Sequence, residues 1–139
     1  MISFAASVVS DRLQALTRAL DADATLPGYL VMYDGTRPAN GAGHSSAAVG
    51  KLVFEKPSLD NVLQNTLTIR NPAQTLVLST GAPTWGRMFN GAGQFVADAS
   101  VGVGAEDIVI TDETGVPAPT AQMYTGGLLS AALIRLTEP

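Results

Sequence analysis

The sequence predicts a mainly β protein: a β-sandwich of jelly-roll type, with about seven or eight antiparallel strands behind one N-terminal α-helix. Three observations predict it. Only residues 4–21 carry a helical apolar period. From residue 49 onward, short apolar runs recur with turn residues between them, the pattern of a sandwich or jelly roll. Nothing after residue 25 alternates a strand with a long helix, which argues against a βαβ fold.

In residues 4–21, Val9, Leu13, Leu16 and Leu20 fall on one helix face, with Asp11, Arg12, Gln14 and Arg18 off it. Frequent Ala favours the helix further. This narrow leucine-rich stripe either closes one end of the β core or pairs with another subunit. The segment Asp21 to Gly28 ends the helix, and the chain divides into a helix or arm over 1–25 and a β domain over 26–139. Tyr29–Tyr33 is apolar on both faces, as a buried central strand is. Asp34-Gly35-Thr36-Arg37-Pro38 stops it, and residues 39–48 are small and loop-like.

Further strands are predicted at Val49–Glu55, Asn65–Arg70, Thr75–Ser79, Thr84–Phe89, Gln94–Ser100, Ile108–Thr111 and Gly127–Leu136. Asn90-Gly91-Ala92-Gly93 is the clearest hairpin turn. The expected core is Tyr29, Val31, Leu52, Phe54, Leu67, Ile69, Val77, Trp85, Phe95, Val109, Leu133 and Leu136. Trp85, the single tryptophan, anchors it.

The 139 residues suit one domain, and 46% hydrophobic content excludes full-length disorder. Charged residues are only 14%, against about 25% in an average soluble domain, so the surface is solvated by small polar groups or covered by a partner. The net charge of −4 and the scattered basic residues argue against nucleic acid or an anionic membrane as the main partner. No stretch is long and apolar enough for a spanning helix, and the N-terminus lacks the basic region of a secretory signal.

A search for chemistry yields no catalytic, cofactor or metal site. His44 is the only histidine, and cysteine is absent, which excludes a typical zinc site. No Gly-x-Ser-x-Gly elbow accompanies His44, and no phosphate-binding loop is present. The acidic pairs Glu106-Asp107 and Asp112-Glu113 flank an apolar strand and read as solvated strand ends. The expectation is a protein that binds or scaffolds, not an enzyme.

A helix, then Pro27-Gly28-Tyr29-Leu30-Val31-Met32-Tyr33-Asp34-Gly35-Thr36-Arg37-Pro38, then Thr84-Trp85-Gly86-Arg87, then Asp98 to Ile110 follow one another in this chain. This order resembles a group of small virion proteins of tailed bacteriophages and prophages, over about residues 5 to 136. Gly86 departs from the pattern, in which a bulky residue commonly follows the Trp. The resemblance implies a jelly-roll decoration (cement) protein. Such a protein sits on the capsid exterior, with the major capsid protein as partner, and is made in the bacterial host cytoplasm. A tail or baseplate component, or a glycan-binding receptor module, is the alternative. Contacts are expected from the helix through Leu13, Leu16 and Leu20, and from loops 34–48 and 112–127. Asp34 is a further expected contact, and Arg37 is either the polar anchor, since a guanidinium grips a carboxylate in two parallel bonds, or a solvated turn residue beside Pro38. A homo-oligomer is also expected, a dimer before a trimer.

Overall fold

The computed structural model describes residues 2–112, 114–132 and 134–137. Helix α1 (Ala6–Leu20) is followed by β1 (Tyr29–Asp34), β2 (Ala48–Val53), β3 (Leu59–Leu63), β4 (Thr66–Ile69), β5 (Thr75–Leu76), β6 (Pro83–Phe89), β7 (Phe95–Gly102), β8 (Ile108–Thr111), β9 (Leu128–Ala132) and β10 (Arg135–Thr137). The fold is mainly β with one N-terminal helix, of the sandwich and jelly-roll type predicted. A seven-stranded sheet runs β2-β1-β6-β7-β8-β9-β5, and a small sheet runs β10-β4-β3. The large sheet nearly closes on itself, because Leu78 and Ser79 donate backbone hydrogen bonds to Val49 O beside its other edge. The strand pairs are antiparallel except β7 with β8, which run parallel. Near closure removes most of the free edge along which another chain could add.

The hairpin joining β6 and β7 is where the sequence places it. The Asn90 side chain accepts hydrogen bonds from the backbone N–H groups of Ala92 and Gln94, 3.0 Å each. Two boundaries differ from expectation. Residues 59–63 form a strand the pattern does not reveal: Asp60 sits at a register shift, and the tight turn uses Gln64 at φ 54° in place of glycine. The run expected as one strand over 127–136 is split into β9 and β10, so the chain changes sheets between them.

Alternation fixes what each strand buries. On β1, Leu30 and Met32 face the main core, together with Leu52, Met88 and Val101. Tyr29 and Val31 therefore point to the opposite face and are only half-buried, contrary to expectation. Phe95 and Leu136, also expected inside, are exposed. Leu133 lies outside the described residues. Leu52, Phe54, Leu67, Ile69, Val77, Trp85 and Val109 are buried as predicted.

Helix α1 lies over β3, β4 and β7. Leu13 and Leu20 are 1% and 0% exposed within this chain's own core, and half-buried Leu16 packs against the same cluster. Leu13 and Leu20 thus close the β core and are covered there, while Leu16 and Val9 are half-covered at its edge. One core runs from the helix across residue 25 into the strands. Lys56 and Asp21 fasten the helix end. The Lys56 ammonium donates to Asp21 O at 3.1 Å and to Asp23 O, a favourable place for a cation at a helix C-terminus. The Asp21 carboxylate accepts from Ser58 N–H.

Candidate functional site: an aromatic face under a pinned loop

The face of the large sheet opposite the main core carries an unusual set of side chains. Strand register builds it in three rows. Val53, Tyr29, Phe89 and Phe95 are successive cross-strand partners, as are Lys51, Val31, Arg87 and Asp98. Tyr33 and Trp85 are partners in the third row. Partners in register share one face, so five of the eight Phe, Tyr and Trp residues (4, 3 and 1) gather here. Tyr29 stacks on Phe89 at 5.1 Å, and Tyr33 on Trp85 at 4.5 Å.

The loop over residues 35–47 covers one half of this face. His44 meets Tyr33 and Trp85 edge-on, at 4.3 and 4.9 Å between ring centroids. Under this cover Trp85 is fully buried and Tyr33 nearly so. Trp85 is therefore a buried anchor, as predicted, but of a second apolar layer and not of the main core. Its indole N–H has no hydrogen-bond partner among the described residues. Burial raises the Tyr33 phenol pKa above its ordinary value, partly offset by the Arg87 charge.

One ion pair holds the loop down. Arg87 Nε and Nη2 donate to the two Asp98 oxygens at 2.7 and 3.0 Å. The same Nη2 donates to Ala42 O at 2.9 Å, and Asp98 accepts from Gly41 N–H at 3.0 Å. Gly41 has φ +72°, a conformation side chains rarely adopt. Burial alone raises the Asp98 pKa. The Arg87 and Gly41 hydrogen bonds, with the charges of Arg87 and Arg37, outweigh it and hold the carboxyl below the usual range. The Arg87 pKa is raised, chiefly by its bond to Asp98. At the loop's start, Thr84 donates to Gly35 O, while Asp34 accepts from Gly35 and Ala82 N–H. Asp34 is thus occupied in fastening the turn. Arg37 is exposed on the loop, within electrostatic reach of Asp98.

The other half of the face is open. Val53 and Phe95 are 47% and 41% exposed, and Tyr29, Val31 and Phe89 are half-covered. Lys51 Nζ lies 4.1 Å from the Tyr29 ring centroid and the Arg87 guanidinium 5.3 Å from that of Phe95, both cation–π distances. Of the residues singled out from sequence, Arg37, Asp34 and Trp85 fall in this region. Arg87, Asp98, Tyr29 with Phe89, and Lys51 join them on one surface that the sequence did not reveal. The signal was there in part: Tyr29 and Tyr33 flank Val31 at alternate positions of β1, and Trp85, Arg87 and Phe89 alternate on β6.

The described acidic residues of the two pairs are each engaged locally. Glu106 accepts from Gly104 N–H, Asp107 from Ser100 N–H and Oγ, and Asp112 from Thr114 and Val116. Glu113 lies outside the described residues. Among the described residues no cluster of metal-ligating side chains occurs, and no helix is long and apolar enough to cross a membrane. No protein-family model, curated protein or solved structure matches this chain.

Proposed function

We propose that this protein is a structural part of a tailed-phage virion, a decoration protein that docks on the outside of the capsid and holds neighbouring major capsid proteins together. The observation that supports this reading best is the open half of the aromatic face, where exposed Val53 and Phe95 flank half-covered Tyr29 and Phe89 beside a loop pinned by Arg87 and Asp98. Aromatic side chains and Arg are the residues enriched at the centres of protein interfaces, where they fill pockets on a partner. A loop already fixed by Arg87 and Asp98 loses little further entropy when it is covered. Arg37 stands on that loop and offers its guanidinium to a carboxylate of the partner. The resemblance of the chain's motif order to small virion proteins supplies the identity of the partner.

The glycan-binding alternative needs an aromatic ring with an open face. Trp85 and Tyr33 are closed in by the loop, and the Tyr29 ring is already engaged by Phe89 and Lys51. Tyr124, 67% exposed, is the aromatic that keeps an open ring for this alternative. A tail location stays a direct competitor, and one experiment separates the two. Capsids assembled without the protein, with it, and with a Phe95→Ser, Arg37→Ala variant are compared for bound protein and rupture temperature. Binding to heads and a raised rupture temperature, both reduced in the variant, are the expected results. Unchanged capsid stability, or density only on the tail, overturns the reading.

A further inference from the structure

The tetrapeptide Asn-Gly-Ala-Gly occurs twice, at residues 40–43 and 90–93, and the fold treats the two copies in opposite ways. In the second copy the asparagine is sealed. Asn90 is 6% exposed, its Oδ1 accepts from Ala92 and Gln94 N–H, and its Nδ2 donates to Gln94 Oε1 at 2.9 Å. The Leu26 carbonyl stands where a Cβ on Gly91 would be. In the first copy the asparagine is open. Asn40 and Gly41 are exposed at the centre of a tight turn, closed by Ala42 N–H donating to Ala39 O at 2.8 Å. Gly41 takes φ +72°, which suits the second central position of a type II turn. The Asn40 side-chain amide has no hydrogen-bond partner among the described residues. The adjoining Gly41 N–H is held by Asp98 at 3.0 Å.

We propose that Asn40-Gly41 is a self-modification site, where the asparagine turns into aspartate and isoaspartate with age and thereby releases the loop over Trp85. The reagents are the chain itself and water. The Gly41 backbone nitrogen gives its proton to a solvent base and attacks Asn40 Cγ. The new C–N bond closes a five-membered imide as the Cγ–Nδ2 bond breaks and the side-chain nitrogen leaves as ammonia. Water then opens the imide at either carbonyl. One product has aspartate at residue 40, and the other an isoaspartyl linkage whose main chain runs through the side-chain carbon. Asparagine is among the thermolabile residues, and glycine after it carries no side chain to obstruct the attack. Asp98 sets the rate. Its carboxylate holds the Gly41 N–H, and its negative charge disfavours the amide anion that must form there. The same contact gives the product its consequence. A new carboxylate at residue 40 stands one residue from that bond and repels Asp98, and the isoaspartyl form also lengthens the backbone by one atom. Both loosen the hydrogen bonds by which Asp98 and Arg87 keep the loop closed over Tyr33 and Trp85.

This chemistry needs no partner, so it stands or falls apart from the capsid reading. The test ages the purified full chain in warm, mildly alkaline buffer, with samples digested and read by mass spectrometry and isoaspartate counted by enzymatic methyl transfer. Residue 40 is expected to convert while residue 90 keeps its amide. Trp85 emission moves to longer wavelength in step with that conversion. It stays fixed in Asn40→Gln, whose longer side chain closes the imide ring far less readily. Asp98→Ala removes a charge-assisted hydrogen bond and quickens conversion at residue 40 about tenfold or more, still ahead of residue 90. Should that variant unfold, residues 40 and 90 convert together, and Asp98→Asn, which keeps the side-chain shape without the charge, shows the faster rate in its place. An amide retained at residue 40, equal conversion at 40 and 90 in the parent, an unchanged or slower rate in a folded Asp98 variant, or Trp85 emission that does not follow the conversion overturns the proposal.

Discussion

Arg87 and Asp98 stand directly opposite each other on adjacent antiparallel strands and meet through two hydrogen bonds of 2.7 and 3.0 Å, with 9% and 0% of their side chains exposed. Each also reaches across to the loop above, Arg87 to Ala42 O and Asp98 to Gly41 N–H. A buried ion pair is weak evidence of net stability, since both charges have left water. Its consequence here is geometric: it fixes the loop that seals Tyr33 and Trp85.

Removing one member leaves the other buried and uncompensated. Asp98→Ala is therefore expected to cost about 3–5 kcal/mol, read as a fall in the denaturant midpoint. The pair also sets an acid limit. The Asp98 pKa is depressed in the folded state, so the stability it confers is complete above its unfolded value near 3.8 and is lost as the pH falls through the lower folded value. A stability–pH profile that drops below about pH 4, with this part of the drop missing in Asp98→Asn, is the expected result.

At the alkaline end the sign reverses. Burial keeps the Tyr33 phenol neutral beyond its ordinary value of 10.0. Its contribution is intact below that pH and is lost as the pH rises through the folded value. Titration of tyrosinate absorbance is expected to show a late step that Tyr33→Phe removes.

Trp85 is the sole tryptophan, and it is sealed by His44 and Tyr33. Its fluorescence is expected to be that of a water-shielded indole, with emission moving to longer wavelength when the loop is freed by Asp98→Ala. Trp85→Ala should cost about 3–5 kcal/mol in chemical denaturation.

Gly86 follows Trp85 at a point where the core leaves no room for a side chain. It faces the core, where an added Cβ lies 2.8 Å from Leu30 Cδ1 and 3.3 Å from Val101 Cγ2. Gly86→Leu overpacks this point and is expected to lower stability by about 1–3 kcal/mol, while Leu30→Ala in the same chain restores part of the loss.

The sequence by itself determined the features that arise within a few residues. The helical stripe ending at Leu20, the Asn90 turn and the succession of short strands are all local consequences of periodicity and turn chemistry, and they carry the fold class. It also named Trp85 as an anchor and Arg37 as a loop residue. Tertiary structure decided which side of each strand faced which layer. In Tyr29-Leu30-Val31-Met32-Tyr33 every residue is apolar or aromatic, so alternation gives no phase. The phase follows from what covers each side: the main core over Leu30 and Met32, a distant loop over Tyr33. The same holds for the helix. Its stripe fits a subunit interface as well as a core, and only the position of the sheet beneath Leu13 and Leu20 chose between them. Arg87 and Asp98 look like scattered surface charges in sequence. They become a buried pair because the hairpin register sets them opposite each other and the loop closes above them, a contact that long-range packing alone creates.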